Sequence, residues 1–142
     1  MKRYLFVTIL LGLSVSGFAQ TQCATFPCVV ASLSLTDQSH AIPSTPIFTP
    51  TADGAFRISV YISTSPGTNQ RATWTTYLGW TDLHGVKEAP FISAAQNADA
   101  SANIVVQDVG GQPLLYQVKP VGGGGGVGGM TYDLLVTVEQ IQ

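Results

Sequence analysis

From residue 28 onward, apolar and polar side chains alternate over most of the chain, and that alternation predicts its fold. In Ala55 to Ser63, AFRISVYIS, the residues Phe56, Ile58, Val60 and Ile62 fall on one side, and Arg57, Ser59, Tyr61 and Ser63 on the other. Period two is the repeat of a half-buried strand, because successive side chains leave an extended backbone on opposite faces. The preceding TPTADG carries Pro50 and Asp53-Gly54, which turn the chain into it. ATWTTYLGW repeats the logic, with Ala72, Trp74, Thr76, Leu78 and Trp80 on one face and Thr73, Thr75, Tyr77 and Gly79 on the other. Its threonines and aromatics favour strand over helix. SPGTNQ between these two segments predicts a hairpin loop, and TDLHG a turn leading into VKEAPFI.

Further strands are predicted at CVVASLSL, near Pro46 to Thr49, at ANIVVQD, at PLLYQVK and at MTYDLLVTVEQI. In the last of these, Met130, Tyr132, Leu134, Val136 and Val138 make one stripe, and too few charges protect it as a free edge, so it belongs inside a sheet. SAAQNADASA reads as a polar loop, and no segment has a helical period. About eight short strands at this spacing predict an all-β fold, a two-sheet antiparallel sandwich.

Residues 1–19, MKRYLFVTILLGLSVSGFA, open with Lys2 and Arg3, continue with an apolar run and end in small residues, the pattern of a secretory signal peptide cut after Ala19. That run is too short to span a bilayer, and no membrane insertion is expected after cleavage. Thr21-Gln22 before Cys23 does not fit a lipoprotein signal. The domain reading is a signal peptide at 1–19, an N-terminal segment at 20–29 and one sandwich domain at 30–142. The expected location is secreted or periplasmic. Cys23 and Cys28 are the only cysteines, and in an oxidising compartment they are expected to form a disulfide that stiffens the start of the first strand. They lack the C-x-x-C spacing of a redox pair.

Charge and motifs remove several function classes. Beyond the leader, the basic residues are Arg57, Arg71, Lys87 and Lys119, against 8 acidic ones, so nucleic acid is not an expected partner. The glycine-rich run 122–129 leads into a strand rather than a helix, which predicts a surface connection tolerant of positive φ and not a phosphate cradle. His40 and His84 each have an aspartate nearby, Asp37 and Asp82, but these are ordinary turn residues in separate segments, and neither a metal nor another cofactor is expected. No D-x-D-x-D-G calcium loop and no G-x-S-x-G occurs, so the chain is not expected to be an enzyme. The distant alternative is a secreted hydrolase that would have to use a histidine such as His84.

The most informative positions are Tyr61, Tyr77, Leu115 and Leu135, large side chains on the stripe opposite the assigned core face. A two-sheet sandwich leaves that stripe wet. They are the candidate interface or ligand platform, for self-association or, as the alternative, for a carbohydrate-binding module that uses Tyr61 and Tyr77. Trp74 and Trp80 share the parity of Leu78 and are assigned to the core.

TPTADGAFRISVYIS, then LLYQV, then TYDLLVTVE, with Gly54, Phe56, Ile58, Val60 and Tyr61 at the matching positions, resembles the jelly-roll domains of the complement globular head and tumour-necrosis-factor superfamily over residues 30–141. The strand at Gly54–Tyr61 and the turn at Trp80-Thr81-Asp82 are also similar to small secreted bacterial proteins. The resemblance implies a jelly roll that binds rather than catalyses and that forms a homotrimer. No collagen-like stalk is present, and the glycine run is unlike the family's usual connection before the closing strand.

Overall fold

The computed structural model describes residues 23, 25–69, 71–122 and 127–142. The proposed leader therefore lies outside the described residues, as do Gly123–Gly126 of the glycine run. Eight strands follow one another: β1 (Cys28–Gln38), β2 (Ile42–Phe48), β3 (Gly54–Thr64), β4 (Thr73–Asp82), β5 (Gly85–Ala95), β6 (Asp99–Asp108), β7 (Leu114–Val121) and β8 (Tyr132–Gln140). They form two antiparallel four-stranded sheets, in the orders β1-β8-β3-β6 and β2-β7-β4-β5. Consecutive strands change sheet at every connection except β4–β5, and this double Greek-key winding makes the sandwich jelly-roll-like.

That order corrects one sequence expectation. SPGTNQ does not close a hairpin, because β3 and β4 lie in different sheets and the segment between them crosses from one layer to the other. Local turn residues look the same in both cases. TDLHG is the hairpin: Asp82 pairs with Gly85, whose φ of 110° places it in a region open to glycine. SAAQNADASA is also less of a loop than its polarity indicates, since β5 runs to Ala95 and β6 starts at Asp99.

The alternating stripes close the interior. Phe56, Ile58, Val60 and Ile62 of β3, with Leu134, Val136 and Val138 of β8, face Trp74 and Leu78 of β4 and Leu114 and Val118 of β7 in one buried cluster. The Trp74 and Tyr132 rings meet at 4.6 Å, and Trp74 Nε1 donates to the Met130 carbonyl at 3.2 Å. Trp80 is only partly buried against this cluster, near the end of β4. β8 sits between β1 and β3, inside its sheet, as its low charge requires. The edge strand β5 carries Pro90 at a register shift, where the missing N–H leaves no gap in a ladder.

Cys23 and Cys28 are joined in a disulfide, with Cα atoms 6.0 Å apart, at the start of β1. Such bonds form and persist in oxidising compartments, extracellular or periplasmic. No helix among the described residues is long and apolar enough to cross a membrane. At the described ends of the glycine run, Gly122 has φ 82° and a Cβ there would meet the Arg71 carbonyl oxygen at 2.5 Å, while Gly128 has φ 60° and would meet Thr68 Oγ1 at 2.6 Å. Positive φ and close approach both call for glycine here.

Candidate functional site

The four stripe residues separate into two pairs on opposite faces of the sandwich. On β3, Tyr61 stands directly across from Leu135 of β8, and both project from the outer face of the β1-β8-β3-β6 sheet. Tyr77 of β4 pairs with Gln117 and Leu115 of β7 pairs with Gly79, on the outer face of the other sheet. Packed sheets lie about 10 Å apart with the core between them, so Tyr61 and Tyr77 cannot form one platform. The parity of each strand was legible; which sheet each strand joins was not.

Tyr77 and Leu115 have local partners. Lys119 Nζ lies over the Tyr77 ring, 4.6 Å from its centroid, a contact that holds both side chains down. Leu115 packs in the gap left by Gly79, where an added Cβ would lie 3.3 Å from Leu115 Cβ. Both residues are half-buried.

The Tyr61–Leu135 face differs. Reading across the sheet, one row runs Val105, Arg57, Glu139, Val29, the next Asn103, Ser59, Thr137, Ser32, and the third Ser101, Tyr61, Leu135, Ser34. Val29, Tyr61, Val105 and Leu135 are four of the eight exposed large apolar side chains among the described residues. Arg57 and Glu139 neutralise each other at 3.0 Å, and the rest of these rows is hydroxyl and amide. Val29 and Val105 were missed from sequence because each lies beside another valine, in Val29-Val30 and Val105-Val106. Only the pairing register shows which valine turns inward.

At one end of this face, a cleft of about 420 Å³ is lined by Thr36, Asp37, Ser63, Ser65, Thr131 and Asp133, among others. Asp37 holds φ 53°, and its backbone N–H donates to Asp133 Oδ1 at 2.7 Å. Ser63 follows Tyr61 on the same side of β3, so the cleft continues the face.

The histidines lie at opposite ends of the sandwich. Tyr132, opposite Thr64 at the end of β3, donates through its hydroxyl to the His40 carbonyl at 3.0 Å. His84 lies in the β4–β5 turn, where its backbone N–H donates to Asp82 Oδ1 at 2.8 Å, and neighbouring Thr81 bonds Asp108, opposite Gly54 at the start of β3. An eleven-residue strand separates the two ends, about 30 Å at the usual rise, so Asp37, His40, Asp82 and His84 cannot share an ion. Among the described residues, no three His, Cys, Asp or Glu side chains are grouped to hold a metal.

No protein-family model and no curated protein matches the chain. Among solved structures, it is similar to a chain in the structure of infectious bursal disease virus Gx strain, at 13% sequence identity and a TM-score of 0.42, over 94% of this chain and 37% of that one.

Proposed function

We propose that this chain is a non-catalytic structural or binding module of an extracytoplasmic compartment, and that it self-associates through the outer face of its β1-β8-β3-β6 sheet. The observation that carries this reading is the gathering of Val29, Tyr61, Val105 and Leu135 on that face, around a self-neutralised Arg57–Glu139 pair. Exposed apolar side chains interspersed with uncharged polar ones and a single neutralised ion pair make a face of no net charge, which suits an interface between subunits. Its four-stranded breadth suits a repeated copy of itself, and the resemblance to trimeric jelly rolls makes three the expected number. The location rests on the leader pattern of residues 1–19 together with the disulfide.

A second reading is a carbohydrate-binding module. It draws on the hydroxyl- and carboxylate-lined cleft of Asp37, Ser63 and Asp133 beside Tyr61, since sugars take aromatic faces and polar edges together. Light scattering on the purified protein at micromolar concentration tests both readings. An assembly that becomes monomeric in Leu135→Asp, with melting unchanged, is the expected result. A wild-type monomer that binds a glycan array and loses that binding in Tyr61→Ala transfers the face to the second reading.

A further inference from the structure

At the opposite end of the sandwich from the hydroxyl-lined cleft, the loop before β3, the β4–β5 turn and the end of β6 enclose a cavity of about 230 Å³, lined by Asp53, Asp82, Leu83, Gln107, Asp108 and Val109. Asp108 is only 2% exposed. Its Oδ1 accepts the Thr81 N–H at 2.9 Å, and its Oδ2 is buried with no hydrogen-bond partner. A buried carboxylate oxygen without a donor is costly. The fold does not need that cost, because Oδ1 and the Val109 N–H, which donates to the Thr81 carbonyl at 2.8 Å, already tie the end of β6 to β4.

The charge of Asp53 increases it. Asp53 Oδ1 accepts the Gly110 N–H at 2.8 Å, and Asp82 Oδ1 accepts the His84 N–H, so both are held in place at the cavity wall. Lys87 Nζ lies 3.8 Å from Asp82 Oδ1 and so pairs with Asp82 rather than with Asp108. Burial pushes the Asp108 carboxyl above the usual carboxylate range, opposed by the N–H groups of Thr81 and Val109 and reinforced by the charge of Asp53. Leu83 is 84% exposed at the rim and, with Val109, supplies apolar wall.

We infer that this cavity binds a primary alkylammonium group, whose charge is drawn toward the Asp108 carboxylate and whose carbon chain lies along Leu83 and Val109. A metal ion needs several ligands converging on one point, and these three acids are not so grouped. An ammonium needs one close carboxylate and gains from the others at longer range. The volume is below the roughly 300–1,000 Å³ of pockets for drug-sized ligands, so the occupant is a small amine or a single lysine side chain of another protein. The site is independent of the Tyr61 face.

Amide chemical shifts of the ¹⁵N-labelled protein, titrated with n-pentylammonium chloride against equal sodium chloride, test the inference. Saturable shifts confined to the surroundings of Asp53, Asp82 and Gln107–Val109 are expected, with none from 1-pentanol. Nα-acetyl-lysine methylamide is the second probe: tighter binding than pentylammonium assigns the site to a lysine side chain, weaker binding to a free amine. Asp108→Asn keeps the acceptor for Thr81 and should bind pentylammonium at least about tenfold more weakly. If that variant does not fold, Asp82→Asn, which keeps the acceptor for His84, should weaken binding several-fold. Unmoved resonances, equal binding of pentanol, calcium binding in place of the amine, or wild-type affinity in the variant tested would each overturn the assignment.

Discussion

Thr76 is fully buried on the inward face of β4, and its Oγ1 has no hydrogen-bond partner. Desolvating a hydroxyl without replacing its hydrogen bond costs about 1–3 kcal/mol. Thr76→Val keeps the branched shape and removes the cost, so chemical denaturation should show a gain of about 1 kcal/mol; a loss would reveal a partner for that hydroxyl. Tyr132 has a pH signature. Burial, with a smaller contribution from nearby Tyr116, pushes its phenol up to about 12. An unfolded tyrosine titrates near 10, so the fold holds this proton more tightly than the open chain. Its contribution is complete below pH of about 10 and is lost as pH rises through about 12, at up to about 1.4 kcal/mol per pH unit. Denaturant midpoints measured from pH 9 to 12, values chosen to bracket that window, should fall more steeply for wild type than for Tyr132→Phe. Equal slopes would sink the assignment, and the raised phenol of Tyr116 leaves the variant a residual slope.

At the scale of the element, β8 carries the most weight. It is hydrogen-bonded on both sides, to β1 and β3, and Leu134, Val136 and Val138 are each at most 1% exposed. Val136→Asp would put an unpaired charge between two sheets, several kcal/mol against a stability of about 5–15. No cooperative melting transition is expected, and a soluble variant that melts as wild type does would show that this interior tolerates water. The 65–72 connection illustrates the opposite case. It contains turn residues and links two strands of clear alternation, yet it joins different sheets, because the Trp74 and Phe56 stripes can bury one another only by facing across the core.

For the whole molecule, the two ends and the two outer faces have different chemistry. One outer face gathers four exposed apolar groups and one ion pair, while the other sheet exposes Val86 and Val121 near strand ends, covers Tyr77 with Lys119 and seats Leu115 against Gly79. One end holds the hydroxyl-lined cleft and the other the buried Asp108. Association through the first face should therefore leave the Asp108 cavity open. Leu135→Asp is expected to abolish the assembly seen by light scattering without altering pentylammonium shifts.

Where apolar and polar residues alternate strictly, which side chains point inward was set by the sequence alone, since period-two burial is a property of the pleated backbone and its reading needs no neighbour. It placed Phe56, Trp74 and Val136 in the core and Tyr61 and Leu135 outside it. Which strands lie side by side was decided only by the tertiary structure, because pairing depends on closures between residues far apart in the chain. Those closures set Tyr61 against Leu135 and apart from Tyr77, chose between adjacent valines at 29–30 and 105–106, and brought Asp53, Asp82 and Asp108 around one cavity. Scattered acids and lone aromatics carry no local period, so their grouping became visible only when the sheets closed.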